Sequence, residues 1–259
     1  MQTGAITGYI DVAQLALYGF WLFFAGLIWY LHRENKREGY PLVSPERSGR
    51  VVIEGFPGVP PPKTFHMHDG STVSVPRAEG REPLKAMYAE NFPGAPLVPI
   101  GDPMLAQMGP GAYAQRADVP DLAYDDNLPK IVPLRSAPDF FLALEDPNLY
   151  GFSVRGADGV EAGTVVDTWI DRSEVVVRYL EVKLTLSGAS GNVLLPMNYL
   201  AIRAKQRQIR TSFIQGAQFA TVPALRNPDV VTLLEEDKIT AYYSAGLLYA
   251  TPHRAGPLL

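Results

Sequence analysis

The chain has 259 residues, of which 47% are hydrophobic, and a formal net charge of −4. This length fits one large domain or two modest ones, and the slightly acidic balance excludes the basic surface that nucleic-acid binding requires. There is no cysteine, which excludes disulfides, a thiolate nucleophile and cysteine-ligated metal centres.

The first predicted element is a membrane-spanning helix over residues 12–31. Gln14 is the only strongly polar residue in this run, and about 20 apolar residues span the hydrocarbon core of a bilayer. A secretory signal peptide would need a basic start and a small-residue cleavage site, and neither precedes or follows the run. The run therefore predicts a transmembrane helix rather than a cleaved signal or a buried core helix.

The charges around this run predict its orientation. All 23 lysines and arginines follow residue 31, and such residues concentrate on the cytoplasmic side of membrane helices. We therefore expect residues 1–11 outside the cytoplasm and the body inside it. His32, Arg33, Lys36 and Arg37 form a basic cluster just after the run. The cluster either sets only the topology or also holds anionic lipid headgroups, with Tyr30, Arg33 and Arg37 as the candidate lipid-binding residues.

Residues 32–140 are predicted to form an extended, proline-rich segment. It contains most of the prolines, 17 of 23, a density that prevents long helices and central strands. A disordered linker would be polar, whereas this segment carries Phe56, Phe65, Phe92 and Tyr113. We expect the segment to lie along the surface of a partner protein; the alternative is an irregular cap on its own domain.

Residues 141–259 are predicted to form a small β-barrel followed by a C-terminal helix. Apolar residues alternate with Tyr179, Glu181 and Lys183, which is the period-two pattern of a half-buried strand. Several short strands at this spacing favour a closed or nearly closed barrel. The strand-like runs cover residues 159–171, 174–186, 192–197 and 208–214, with SGASGN as a turn.

The C-terminal helix is predicted over residues 232–249. Thr232 and Glu235 form a capping box at its start, and its apolar face, which includes Tyr243 and Leu247, is expected to pack on the core of the same domain. The predicted fold class is therefore a single N-terminal transmembrane helix and a mainly β cytoplasmic body, with a small β-barrel and a C-terminal helix.

Motifs for catalysis and metal binding are few. There is no phosphate-binding loop, dinucleotide motif, H-E-x-x-H or nucleophile elbow, so no catalytic residue is predicted. His66, His68 and Asp69 could share a strand face and bind a metal ion. Two histidines and a carboxylate on a loop are a weak signal, and we predict surface histidines and no metal site.

Acidic residues cluster at two places. Asp171 and Glu174, with Asp167 nearby, lie where a predicted strand ends and turns into the next; Asp125 and Asp126 form a second pair. Acidic residues in turns are normally solvated, so composition alone assigns these groups no special role.

Read in order, the chain contains the blocks FWLFFAGLIWYLHRENKREGYPL, PKTF, GDPM, GPGAYA, KIVPLR, AGTVVDTWIDRSE, RYLEV, LLP and TLLEEDKITAYYSAGLLYATP. Each block is short, but the ordered set runs from about residue 9 to the C-terminus. Together the blocks resemble the H subunit of the purple-bacterial photosynthetic reaction centre, whose body contains a PRC-barrel.

This resemblance implies a non-catalytic accessory subunit that caps the cytoplasmic face of the L and M subunits. Bacteriochlorophyll, bacteriopheophytin, quinones and a non-haem iron would lie on L and M, and this chain would bind none of them directly. It would stabilise the quinone sites and supply part of the proton path to the secondary quinone. The light-harvesting 1 antenna, a cytochrome subunit and anionic lipid are further expected partners, in the inner or chromatophore membrane with a periplasmic N-terminus.

The resemblance also assigns proton-transfer residues. Asp171 and Glu174 match the family's strand-end carboxylates, and such neighbours are expected to raise one pKa. Where other members carry a histidine pair that receives protons, this chain has Asp125 and Asp126, which are expected to do so instead. Two other function classes stay open: a membrane-tethered PRC-barrel adaptor for another cytoplasmic partner, and a membrane-anchored hydrolase using Asp171 and Glu174 as acid and base.

Overall fold

The computed structural model describes residues 10–38, 55–76, 85–90, 92, 95–186, 188 and 191–254. Most of the expected N-terminal tail, residues 39–54 of the proline-rich segment and part of the SGASGN turn lie outside the described residues. The chain divides into two compact units. The first comprises Met1–Pro83 and Glu90–Ala95, and the second comprises Leu84–Ala89 and Pro96–Leu259.

The first unit begins with helix α1, Val12–Asn35. Asp11 caps it, because its side chain accepts the backbone N–H of Gln14 at 2.7 Å. The helix has 24 residues and none is buried. At about 1.5 Å per residue it is about 36 Å long, so its length and apolar composition suffice to cross a bilayer. The predicted span 12–31 lies within it.

A β-hairpin follows α1 in the first unit. Its strands are β1, Lys63–His66, and β2, Thr72–Val75, paired antiparallel. Arg37, just after α1, donates to the carbonyl oxygen of Pro61 at 2.6 Å and pairs with Glu34 at 2.9 Å. Through these contacts Arg37 connects the segment before the hairpin to the end of α1.

The second unit contains the remaining strands and a second helix. The strands are β3 Ala86–Tyr88, β4 Leu97–Pro99, β5 Ile131–Pro133, β6 Ser153–Arg155, β7 Glu161–Asp171, β8 Val176–Leu184, β9 Asn192–Pro196, β10 Ala201–Arg203 and β11 Gln208–Arg210. Helix α2 spans Leu233–Tyr249. Short 3-10 turns occupy Pro103–Leu105, Gly109–Gly111, Leu134–Ser136, Met197–Tyr199, Ala204–Gln206, Ala217–Thr221 and Pro252–Arg254.

Seven of these strands form one sheet in the order β10-β11-β6-β7-β8-β9, with β5 added on β7, while β3 pairs with β4 separately. All pairs are antiparallel except β11 with β6. The apolar first helix, the mainly β body and the C-terminal helix confirm the predicted fold class. The barrel is not closed, because within the described residues β9 and β10 end the sheet order without pairing to each other.

Helix α2 and the sheet enclose the main core. Thr232 accepts the backbone N–H of Glu235 at 3.1 Å, and Glu235 accepts that of Thr232 at 2.9 Å, which confirms the predicted capping box. Leu247, expected on the buried face, is instead 56% exposed. The largest fully buried side chains are Trp169, Tyr243, Phe219, Leu180, Leu194, Leu195, Ile209, Ile214 and Ile239.

Two β-bulges interrupt the pairing of β7 with β8. The partners change from Val165 with Val182 to Asp167 with Glu181, and from Trp169 with Tyr179 to Ile170 with Val177. Val166 and Arg178 are therefore the extra residues, and bulges of this kind redirect the neighbouring side chains. The half-buried alternation predicted for β8 is wrong in the middle of the strand, where Tyr179 and Glu181 are also buried.

Gly246 is required where α2 crosses the chain at residue 213. A Cβ at this position would lie 2.2 Å from the carbonyl oxygen of Phe213. We expect Gly246→Ala to destabilise the chain by about 1–3 kcal/mol through overpacking, although alanine favours helices by about 1 kcal/mol. Urea denaturation in detergent measures this, with Leu247→Ala as an exposed control on the same helix. An unchanged or higher unfolding free energy for Gly246→Ala would contradict the close approach.

Candidate functional site

Asp171 lies at the end of β7, between two neighbouring strands. Its Cα pairs with Ile131 of β5 and with Val176 of β8, and the residue is fully buried. One carboxylate oxygen, Oδ1, accepts the backbone N–H groups of Ser173 at 3.0 Å and Glu174 at 2.9 Å. This aspartate therefore fixes the conformation of the turn that carries Glu174.

Two cations join Asp171 to Glu174. Arg178 Nη2 lies 3.2 Å from Asp171 Oδ2 and 2.6 Å from Glu174 Oε2. Lys130 Nζ lies 3.5 Å from Asp171 Oδ2 and 3.6 Å from Glu174 Oε1. The two carboxylates thus share both cations, whereas the sequence predicted only that the carboxylates lie close together. They differ in exposure, because the side chain of Glu174 is 52% exposed and that of Asp171 is buried.

The bulge in β8 places the arginine of this cluster. In a regular strand, Arg178 and Tyr179 would point to opposite faces of the sheet. The extra residue at Arg178 breaks the alternation, and both side chains line one polar cavity. The register shift therefore brings the guanidinium of Arg178 to Asp171, while Tyr179 lines the same cavity.

The pKa of Asp171 reflects two opposing effects. Burial, the largest, raises the pKa, but the hydrogen bonds from the Glu174 N–H and Arg178 and the charge of Lys130 together outweigh it. The pKa of Asp171 therefore lies below its ordinary value, and the carboxylate is ionised at neutral pH. The expectation was that the neighbouring carboxylates raise one pKa of the pair. Asp171 is not the carboxylate whose pKa is raised, because the backbone N–H groups and the two cations favour its ionised form.

Asp125 and Asp126 are both exposed on the loop that precedes β5. Asp126 forms an ion pair with Arg172, and the hydrogen bond from Arg172 is the main reason that the pKa of Asp126 is lowered. The backbone N–H of Arg172 donates to the carbonyl of Lys130 at 2.8 Å. Asp126 is thereby linked, through Arg172, to the turn that holds Asp171.

A cavity of about 310 Å³ adjoins the cluster. Its charged and hydroxyl-bearing lining comprises Arg116, Asp121, Lys130, Asp171, Arg178, Tyr179, Tyr199, Glu236 and Thr240. Glu236 carries no signal in the sequence, because a glutamate in the first turns of a helix ordinarily faces solvent. Its partner in the structure is Tyr179, whose hydroxyl donates to Glu236 Oε2 at 2.9 Å. Since Tyr179 lies far upstream in the chain, no local pattern indicates this contact.

A second ionic cluster is centred on Arg135. Its Nη1 lies 2.5 Å from Glu181 Oε2 and 2.8 Å from Asp167 Oδ2. Glu181 is buried and also accepts the indole N–H of Trp169 at 3.0 Å. Asp167, noted with the strand-end carboxylates in the sequence, therefore belongs to this cluster and not to that of Asp171. The arrangement stabilises the buried negative charge of Glu181 and does not suit it for exchanging protons with solvent.

The candidate lipid-binding residues lie at the end of α1. Tyr30 is exposed, and the guanidinium of Arg33 lies 5.5 Å from the ring centroid of Trp29. Arg37 is engaged twice, with the carboxylate of Glu34 and with backbone carbonyls. Lipid binding by these residues stays a prediction, and the guanidinium of Arg37 already forms hydrogen bonds within the protein.

The two histidines considered as metal ligands lie on the exposed hairpin of the first unit. His66 and His68 are exposed, and Asp69 Oδ1 accepts the backbone N–H of Ser71 at 2.9 Å within the turn. Across the residues that the structure describes, no three side chains of the metal-ligating types come together. The hairpin turn therefore uses the carboxylate that the sequence placed beside the two histidines.

The fold and the site define a class: a single-pass membrane protein whose mainly β body carries a buried ionic cluster beside a polar cavity. Residues 4–136 match the family described as photosynthetic reaction centre, H-chain N-terminal region. Residues 143–218 match the PRC-barrel domain. The first match covers half of the chain, and the chain belongs to the photosynthetic reaction centre H-chain family. It is thus a reaction-centre subunit, and its family associates with the L and M subunits.

Proposed function

We propose that this subunit covers the cytoplasmic face of L and M, shields the quinone sites from water, and supplies part of the proton path to the secondary quinone. The observation that carries the proton-path proposal is the shared cluster of Asp171 and Glu174 at the margin of a polar cavity. A relay needs ionisable groups in hydrogen-bond or single-water reach of one another, and this cluster provides them.

The two carboxylates have different roles in this proposal. Asp171 is a fixed anion, because it is buried, ionised and bonded to Lys130 and Arg178. Glu174 is half exposed and shares those cations, so it can exchange protons with solvent while Asp171 holds the site in place. Asp125 and Asp126, both exposed, would receive protons from the cytoplasm, and Asp126 would have to release its ion pair with Arg172 when it does so. The electron-transfer cofactors, namely bacteriochlorophyll, bacteriopheophytin, quinones and iron, would all be held by L and M.

Exposed apolar residues support the covering role. In the first unit Phe56 is 85% exposed, Phe92 52% and Phe65 39%, and every residue of α1 lies outside the core. Exposed apolar groups on this scale mark a protein or membrane interface. We infer that α1 packs against the membrane helices of L and M, and that the proline-rich segment lies on their cytoplasmic surface. Residues 141–259 would then form the PRC-barrel domain with its helix.

The adaptor and hydrolase alternatives have less support. The adaptor would need only the PRC-barrel, whereas the family match includes residues 4–136. A hydrolase would need a general acid, and Asp171 is held ionised between two cations. A near-infrared spectrum of the tagged chain purified from its native membrane separates these functions. Stoichiometric bacteriochlorophyll bands support the reaction-centre role, and the antenna and cytochrome subunits would be identified in the same preparation.

The topology follows from the same proposal. The N-terminus is expected in the periplasm and the body in the cytoplasm, because the basic residues all follow the span. Trypsin added to inside-out membrane vesicles should therefore cleave the exposed segment 201–207, which contains Arg203 and Lys205. Cleavage there only in right-side-out preparations would reverse the assignment.

The proton-path proposal is tested by Glu174→Gln in the intact complex. Glutamine keeps the size and removes the titration, so transfer of the second, proton-coupled electron should slow by about tenfold or more. The first electron and complex assembly should be unaffected. Flash-induced absorbance kinetics measure both steps. The matched control is Glu161→Gln at the other end of β7, where the carboxylate is exposed and pairs with Arg155. A wild-type second-electron rate in Glu174→Gln would contradict the proposal.

A further inference from the structure

Another carboxylate faces the cavity that Asp171 lines and has no role in the proposal above. Glu236 lies in the first half of α2, one residue after the capping glutamate, and lines the cavity together with Asp171 and Arg178. The hydroxyl of Tyr179 donates to its Oε2 at 2.9 Å. Because Tyr179 is 5% exposed, this hydrogen bond fixes the glutamate from the buried side of the cavity.

The charges around Glu236 come from several elements that border the cavity, while the end of β9 and the turn after it contribute only uncharged residues. Arg178 comes from β8, Arg116 and Asp121 from the segment that precedes β5, and Asp171 from the end of β7. Lys130 completes the set beside Asp171. The cavity volume of about 310 Å³ leaves room for several water molecules at roughly 30 Å³ each. Water can therefore connect Glu236 with the cluster of Asp171 and Glu174.

The electrostatic balance at Glu236 is opposite to that at Asp171. Burial is the largest effect and raises the pKa of Glu236, and the negative charge of Asp121 adds to it. The hydrogen bond from Tyr179 and the charges of Arg116 and Arg178 lower the pKa but do not offset the burial. The cavity thus holds one carboxyl whose pKa is lowered, Asp171, and one whose pKa is raised.

We propose that Glu236 is a further proton-exchanging residue of this subunit, which takes up and releases a proton through the cavity it shares with Asp171, while Tyr179 positions its carboxylate. The inference rests on the proton path proposed above and extends it to α2. The step is a proton exchange alone. A proton from the cytoplasm passes along water molecules in the cavity to a carboxylate oxygen of Glu236, and each water that gives a proton regains one from its neighbour. The proton later leaves towards the Asp171–Glu174 cluster, with no electron moving on this chain.

The test measures flash-induced proton uptake of the purified intact complex against pH with an indicator dye. Glu236→Gln keeps an acceptor for the Tyr179 hydroxyl, and it should lose one titrating component of the uptake profile. Tyr179→Phe removes a hydrogen bond that favours the ionised glutamate, so the same component should move to higher pH by about one unit. A merely structural contact would not produce this directional shift. Glu161→Gln, outside the cavity, should keep the wild-type profile.

The outcomes separate this inference from the proton-path proposal. If Glu174→Gln slows the second electron while Glu236→Gln and Tyr179→Phe both keep the wild-type uptake profile, the path stands and the role of Glu236 is overturned. If Glu236→Gln loses the component while Glu174→Gln has wild-type kinetics, Glu236 exchanges protons and the path through Glu174 fails. Should Glu236→Gln not assemble, Tyr179→Phe decides, and an unshifted profile overturns the inference.

Discussion

Asp171→Asn is expected to weaken both the folded state and proton delivery. The substitution leaves Lys130 and Arg178 beside a neutral amide in a fully buried position. Removing one partner of a buried ionic cluster is costly, and we expect a loss of about 2–4 kcal/mol in unfolding free energy. The turn that holds Glu174 would also lose a carboxylate acceptor, so second-electron transfer should slow even though Glu174 itself is unchanged.

Asp171 should make the unfolding free energy fall as the pH is lowered. The pKa of Asp171 is lower in the folded than in the unfolded chain. The stability that Asp171 contributes is therefore fully present above its pKa in the unfolded chain, about 4. It is lost as the pH falls through the pKa of Asp171 in the folded chain. Unfolding free energies measured between neutral pH and about pH 3 should fall for the wild type, and less steeply for Asp171→Asn. Parallel curves for both proteins would show that Asp171 does not stabilise the fold through its charge.

Coupling between the two carboxylates is measured by the double variant. Asp171→Asn combined with Glu174→Gln should be little slower than the slower single variant, because both residues act on one path through shared cations. Flash kinetics on the three variants and the wild type complete the cycle. Rate losses that multiply in the double variant would indicate that the carboxylates serve separate paths.

The regular elements were predictable from local patterns. Strand β7 and helix α2 have strong signals, namely a bounded apolar run and a capping box, and both occur within one or two residues of the predicted ends. Asp171 and Glu174 were predicted together because they lie three residues apart at a strand end. Local spacing is enough to predict that such a pair lies close together, since a single turn determines the distance between the two residues.

The remaining features depend on contacts between distant residues. The bulge at Arg178 arises from the register of two paired strands, which no single strand encodes. Glu181 has the spacing of a solvent-facing residue, yet it is 4% exposed, because Arg135 from another segment neutralises it. Glu236 was missed for the same reason, since its partner Tyr179 lies on β8. The sign of each carboxyl's pKa shift likewise depends on neighbours brought in by the fold.

Arg135→Met should destabilise the second unit by about 3 kcal/mol, because it leaves the buried Glu181 without its cation. Arg135 Nη1 contacts Glu181 Oε2 at 2.5 Å, while Nη2 pairs with Asp229 at 3.0 Å. Trp169 and Asn192 still donate to Glu181, so the charge would stay hydrogen-bonded but uncompensated. Urea denaturation of the chain in detergent measures the loss. The indole of Trp169 contacts Glu181 directly, and its fluorescence reports locally on the cluster.

The loss of stability in Arg135→Met should come from the unpaired charge of Glu181 rather than from the missing contacts of the arginine side chain. Glu181→Gln keeps an acceptor for Trp169 and removes the charge, so combining it with Arg135→Met should restore most of the stability. Arg155→Met is the matched control. The side chain of Arg155 is about as exposed as that of Arg135, 39% against 41%, but the side chain of its partner Glu161 is 43% exposed whereas that of Glu181 is 6% exposed. An exposed pair contributes about 0–1 kcal/mol, so a loss of equal size in both arginine variants would rule out the buried charge as the cause.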